Sequence, residues 1–268
     1  MKNFGKLSLL LAAPFLLSSC SLVMSWYKKA TDVVSANDPL QIQVVDNGDG
    51  FMDIGVKNEQ GLTKRNDRSL SSSNKLIPSS FNPVARYVAY KDIKYGESYV
   101  GFRQIIDDLR NEDDSAYYGF VFEISFLKLQ TESERNHIVM DVSGSSLEDK
   151  SNLEMRKGMR MAFLAYDYSY SNDLIWAPYR NRSECTYMDG DSIDHEYPED
   201  LRVVAKDTQI GYEWDDIPQS QTYLGSFGED KTKLSYYGLI WIEGTDPSVI
   251  NENSSDLHID ITLSFALK

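Results

Sequence analysis

DLHIDITLSFALK, residues 256–268, decides the fold class. Leu257, Ile259, Ile261, Leu263, Phe265 and Leu267 alternate with His258, Asp260, Thr262, Ser264, Ala266 and Lys268. A period of two belongs to a strand with one buried and one wet face, because successive side chains leave a pleated backbone on opposite sides. The same alternation recurs upstream. In YYGFVFEISF (117–126), Phe120, Phe122, Ile124 and Phe126 share a face, with Glu123 and Ser125 opposite. In RKGMRMAFLAYDYSY (156–170), Met159, Met161, Phe163 and Ala165 oppose Arg160, Ala162, Leu164 and Tyr166. Both faces of that segment are largely apolar, so it reads as an internal strand, its methionines as core filler.

Shorter β-rich runs complete the pattern: QIQVV (41–45), FMDIGV (51–56), ARYVAY (85–90), HIVMDVSG (137–144), DLIWAPY (173–179), LRVVA (201–205), QTYLGSF (221–227) and KLSYYGLIWIEG (233–244). Seventeen Tyr, 11 Phe and 4 Trp suit strands. About ten strands with no alternation of strand and helix predict an all-β, antiparallel β-sandwich of jelly-roll type. One or two short helices are expected, the first in GFRQIIDDLRNEDDS (101–115). Asn47-Gly48 and Asp49-Gly50 accept positive φ and predict a hairpin between the flanking runs. Residues 58–75 and the acidic stretch RNRSECTYMDGDSIDHEYPED (180–200) read as surface loops.

The chain opens with MKNFGKLSLLLAAPFLLSSC. Lys2 and Lys6 precede an apolar run from Leu7 to Leu17, and Leu17-Ser18-Ser19 runs into Cys20. Charge, a short greasy segment and small residues make an export signal, and the cysteine makes it the lipoprotein form. The expected organisation is a signal over 1–19, a lipid-anchored segment over 20–38 and one β-sandwich domain over 39–268. Acyl chains such as palmitate on Cys20 would be the membrane partner, since two chains hold firmly where one does not. Leu22–Tyr27 is apolar enough for an early strand close to the membrane. The expected location is the outer side of the cell membrane.

The 268 residues carry 27 Lys+Arg against 41 Asp+Glu, a net charge of −14. Such a chain is repelled by phosphate, which argues against a nucleic-acid partner. Of two cysteines, Cys20 is claimed by lipid, so Cys185 has no partner within the chain and the core must hold the body together.

Enzymatic chemistry finds little to work with. The only histidines are His137, His195 and His258. HEYPE (195–199) lacks the second histidine of a zinc-binding HExxH, and no GxSxG elbow or phosphate loop occurs. Cys185 and His195 lie in one stretch, but nothing nearby would ionise the thiol or build an oxyanion hole. No catalytic residue is assigned, and the chain is expected not to be an enzyme. Asp189, Asp191 and Asp194 are the metal candidates, as hard oxygens suited to Ca²⁺; a solvated acidic loop is the plainer reading.

Several stretches together resemble TasA-like and camelysin-like exported proteins of Gram-positive bacteria. LIWIEGTDPSVI (239–250) followed by IDITLSF (259–265) resembles their closing turn and last strand. RKGMRMAFLAYD with IWAP (175–178), LIPSS (76–80) and SWYKKATDVVSAN (25–37) are similar to further parts. The resemblance implies a jelly-roll β-sandwich on the cell surface, related to fibre-forming biofilm matrix proteins. Some relatives are described as metallopeptidases, a role with no zinc motif here to carry it. The lipobox and Ser248, where the family often has a cysteine, are departures that bear on fibre assembly. A structural, adhesive or matrix role follows, with self-association or other surface proteins as partners and strand addition at open edges as the route. The alternative is a surface lipoprotein that captures a carbohydrate or peptide in a concave, aromatic pocket.

Overall fold

The computed structural model describes residues 40–46, 51–58, 61–62, 69–72, 75–94, 97–111, 116–129, 134–141, 146–149, 155–167, 172–190, 192–208, 221–228, 231–249 and 257–268. Twenty strands, numbered in chain order, make up these residues with their turns. Cys20 and the Leu22–Tyr27 run lie outside them.

The closing strand β20 (Leu257–Leu267) is interior, not an edge. It pairs in parallel with β1 (Leu40–Asp46), Ile42 opposite Ile261 and Val44 opposite Leu263. Its other side pairs antiparallel with β11 (His137–Asp141) and β12 (Ser146–Asp149). Strands β18 (Gln221–Ser226) and β4 (Ser69–Ser72) complete a six-stranded sheet at its two ends.

A seven-stranded sheet faces it. Its order is β17 (Arg202–Ala205), β14 (Leu174–Ala177), β13 (Met159–Ala165), β19 (Lys233–Ile242), β10 (Phe120–Lys128), β2 (Met52–Asn58) and β3 (Gly61–Leu62). The two sheets close on one apolar core. Phe265 of β20 meets Phe126 of β10 at 4.9 Å and Phe163 of β13 at 6.3 Å between ring centroids. Ile261, Leu263, Phe265 and Leu267 are all buried, as their alternation requires. Each contributes about 1.5–3 kcal/mol by leaving water. Gly238 lies flat beneath the Phe122 ring, which would collide with any Cβ there.

The seven-stranded sheet is covered on its other face too, which makes it a middle layer. The three-stranded β6 (Ser79–Asn82), β7 (Tyr87–Lys94) and β8 (Glu97–Gln104) and the hairpin β15 (Thr186–Asp189)–β16 (Ser192–Glu196) form this cap. Beside it lies the small pair β5 (Lys75–Leu76) and β9 (Ala116–Tyr117). A second core joins Phe81, Val88, Tyr90, Cys185 and Tyr197 of the cap to Ala162, Leu164, Ile175, Leu239 and Trp241 of the middle sheet. All seven residues of β13 are therefore buried, as its two apolar faces predict.

The fold is all-β, with several antiparallel sheets, and five expectations need correction. β1 and β2 do not form a hairpin; they lie in opposite sheets. Ile42 and Val44 enter the shared core from one side and Ile54 and Val56 from the other, which no hairpin could arrange. The turn residues 47–50 lie outside the described set. Of the stretch 101–115 expected to hold a short helix, the described residues 101–111 form the end of β8 and a turn. Cross-strand pairing with β7 claims Gly101–Gln104, and Arg103 ties down the turn by donating to the carbonyls of Asp108 and Arg110. Among the described residues, helical structure is confined to single 3₁₀ turns such as Met155–Gly158 and Arg182–Glu184. The acidic stretch 180–200 is not a loop but carries the β15–β16 hairpin, turned at Gly190 with φ of 57°. Within 58–75, β3 and β4 are short edge strands. Pairing is also not purely antiparallel: β1–β20, β14–β17 and β5–β9 run parallel.

Candidate functional site

Among the described residues, polar side chains gather in one place sealed inside the molecule and in another that is open.

The sealed one lies where the turn after β19 tucks under the cap. Asp246 is buried and accepts from Arg180 Nε and Nη2 at 2.7 and 2.5 Å, and from Arg160 Nη2 at 3.2 Å. Arg180 also donates to Ser248 Oγ, and the Ser248 N–H returns to Asp246. Glu243, equally buried, accepts from Trp241 Nε1 at 3.0 Å and from the Thr245 hydroxyl at 2.9 Å. Burial raises the Asp246 carboxyl, but the Arg180 hydrogen bonds, the Arg160 charge and the Ser248 N–H outweigh it, so its pKa ends below the ordinary value. Glu243 has no such pair of cations in hydrogen-bond contact, and burial pushes its pKa up. The Trp-Ile-Glu-Gly-Thr-Asp-Pro-Ser stretch (241–248) is thus a buried turn held partly by its own groups and partly by Arg160 and Arg180. Cys185 lies in the same core, where burial pushes the thiol up and its Sγ donates to the Asn181 carbonyl. A protonated, enclosed thiol is a poor nucleophile.

The open place is a groove of about 360 Å³ on the outer side of the cap. Tyr87 of β7, Phe102, Arg103 and Gln104 of β8, Asp107 of the following turn, and Asp189 and Gly190 of the β15–β16 turn line it. Tyr87 and Phe102 meet edge to face at 5.2 Å, and Phe102 remains 45 % exposed. The Tyr87 hydroxyl donates to Asp189 Oδ1 at 3.0 Å and accepts from the Gly190 N–H at 3.0 Å. Asn82 Nδ2 donates to the same Oδ1 at 3.0 Å. Burial pushes the Tyr87 phenol up, so it stays protonated and keeps this donation. The two turns that shape the groove are locally determined. Asn82 Oδ1 accepts from the Val84 and Ala85 N–H groups at the start of the β6–β7 turn. Arg86 closes that turn at φ of 53°, held by its ion pair to buried Asp173 at 2.8 Å.

The residues singled out in sequence scatter. Asp189 enters the groove; Asp191 lies outside the described residues, as does the side chain of Asp194, whose backbone is in β16. Among the described residues no three His, Cys, Asp or Glu side chains gather around one point. His195 packs against the Tyr187 ring at 5.7 Å rather than bonding Cys185. His137 is in the six-stranded sheet, with the middle sheet between it and His195. The backbone of His258 is in β20. Sequence reasoning missed a contact of His137 Nδ1 with Ser226 Oγ at 2.6 Å, continued to the Tyr223 hydroxyl at 2.6 Å. These groups sit on the paired strands β11 and β18 at a sheet end. It also missed Phe102 and Asp107, because 101–115 read as helical, and Tyr87, because its strand (85–90) carries no sign of which hairpin it meets. Read as a strand, that stretch puts Phe102 and Gln104 on one face, the available signal.

Comparison with known proteins yields no matching family model, curated protein or solved structure. No helix among the described residues is long and apolar enough to cross a membrane.

Proposed function

We propose that this chain is a lipid-anchored cell-surface protein with an adhesive role, held through acyl chains on Cys20 and recognising its partner through the outer groove of the cap. The carrying observation is the groove itself: two aromatic rings, one half exposed, between carboxylates that come from two different turns. This joins the adhesive reading to the capture of a peptide or sugar, and it assigns no catalytic residue. Calcium is not required by it.

Strand addition is the weaker route to adhesion. The first and last described strands, β1 and β20, both have neighbours on each side. At one end of the sandwich Arg202 of β17 donates to the carbonyls of Tyr223 and Leu224 in β18, tying two edges together. Short or tied edges discourage pairing with another chain. One observation favours a second reading, matrix assembly by pairing: eight-residue β8 ends its sheet with no strand beyond it among the described residues.

Two substitutions test the proposal in cells. Cys20→Ser should lose labelling by palmitate and appear in the medium. Phe102→Ala should stay at the surface and lose attachment. Retention of the Cys20→Ser protein, or unchanged attachment with Phe102→Ala, would count against it. A concentration-dependent rise in mass of the purified protein would favour the second reading.

A further inference from the structure

We infer that the groove takes a cationic side chain, the ammonium of a lysine or the guanidinium of an arginine on an exposed peptide segment of a partner protein. The inference rests on the groove being a binding site and adds what binds there.

Three features carry it. The first is charge. Two carboxylates line the groove, Asp107 and Asp189, both exposed. The single lining cation among the described residues, Arg103, is turned to other work: its Nη1 donates to the carbonyls of Asp108 and Arg110, and its guanidinium lies over the Tyr90 and Tyr118 rings at 5.3 and 5.7 Å. The net charge of −14 adds a long-range field of the same sign.

The second is unspent acceptor capacity. Tyr87 and Asn82 both donate to Asp189 Oδ1, which fixes the carboxylate's orientation and leaves Oδ2 without a donor among the described residues. Asp107 uses Oδ2 to accept from the Gln104 N–H, leaving Oδ1 likewise. Each carboxylate is held by one oxygen and offers the other. A neutral sugar could donate hydroxyls here but brings no opposite charge, whereas an ammonium brings a full positive charge with three donors and a guanidinium one with five.

The third is the apolar floor. Lysine and arginine carry a hydrocarbon stem behind the charge. Phe102 and Tyr87 offer ring surface for that stem, and a ring face attracts the cation itself. The Tyr87–Phe102 edge-to-face pair fixes both rings before anything binds, which lowers the ordering cost.

The probe is N-acetyl-Gly-Lys-Gly-amide, titrated into the full chain in detergent and followed by NMR shifts of labelled Phe and Tyr rings. The same tripeptide with acetylated lysine and an uncharged oligosaccharide are the comparisons. Lysine peptide should shift the Tyr87 and Phe102 signals and bind about tenfold better than its acetylated form, with affinity falling as salt rises. Asp189→Asn and Asp107→Asn should each weaken it about fivefold. Phe102→Ala, on an exposed ring, should remove the effect without unfolding the protein. Equal binding of acetylated and free lysine, or preferential binding of the oligosaccharide, lost in Phe102→Ala, would overturn the cationic ligand while leaving the groove a binding site. No groove shifts with any probe would overturn both.

Discussion

Toward the six-stranded sheet, the middle sheet buries Phe122, Ile124, Phe126, Met161 and Phe163 against Ile261, Leu263 and Phe265. The polar exceptions, Thr222 and Lys128, lie near strand ends. Toward the cap, the same sheet and its turns bury Arg160, Asp173, Glu243 and Asp246, with Arg86 and Ser80 reaching in from the cap side. Hydrocarbon attraction has no direction, so the first face sets strength more than alignment. Each buried charge on the second face needs a partner in one place. The cap, which is small and carries the groove, is fixed by such bonds, Arg86 to Asp173 and the Gly244 N–H to the Ser79 carbonyl, while Arg180 and Arg160 hold Asp246 in the turn beneath it. The two faces should therefore fail differently.

The largest effect is expected on the dry face. Phe265→Ala removes a fully buried ring that touches Phe126 and Phe163 across the sheets. It should cost about 4 kcal/mol in urea unfolding, with little change across pH 4 to 8. A strong pH dependence of this loss would erase the distinction between the faces.

Asp246→Asn comes next, at about 3 kcal/mol near neutral pH, because two buried guanidinium groups lose their anion. Asp173→Asn is expected to cost less, and its pH trend should be opposite. Asp246 has two arginines and ends below its ordinary pKa, so its stabilisation is present above the usual carboxylate range and lost as pH falls through the depressed value. Asp173 has one, Arg86, which does not offset burial, and its pKa is pushed up to about 6. Its contribution is full below the unfolded value, near 3.8, and lost as pH rises through about 6. The gap between wild type and Asp246→Asn should widen from acid to neutral pH, and the gap for Asp173→Asn should narrow. Parallel trends would show that one guanidinium serves as well as two.

The same asymmetry separates what could be read from the sequence. The dry face was legible because each of its strands writes its own period: Phe120 to Phe126 and Leu257 to Leu267 announce which side is inward. The double burial of Met159–Ala165 was legible for the same reason. Pairing was not. The Asn-Gly and Asp-Gly signal between β1 and β2 describes a turn but not which sheet each strand joins, and that is decided by β20, more than two hundred residues away. The cap was the least legible part. Its charges read as solvated surface, since nothing local in Arg160 or Asp246 indicates that the other will be there. Of the groove, only Asp189 was anticipated, and for a different ligand. Its partners Tyr87 and Asn82 come from a hairpin a hundred residues earlier.

The smallest expected effect probes whether the polar face is fully paired. Tyr197 is buried in the cap core, stacked on Tyr187 at 5.5 Å, and its hydroxyl has no hydrogen-bond partner among the described residues. Burial drives its pKa well above the ordinary value, so the phenol is neutral across the usable range. An unpaired buried hydroxyl costs its own desolvation, about 1–3 kcal/mol, whereas its removal with the ring retained leaves packing intact. Tyr197→Phe should thus be neutral or stabilise the protein by up to about 1 kcal/mol, at every pH from 5 to 8. A loss of 1 kcal/mol or more would mean that the hydroxyl is bonded in solution. The cap face would then keep one unpaired buried polar atom among the described residues, Arg160 Nε, and its contrast with the dry face would lie mainly in direction.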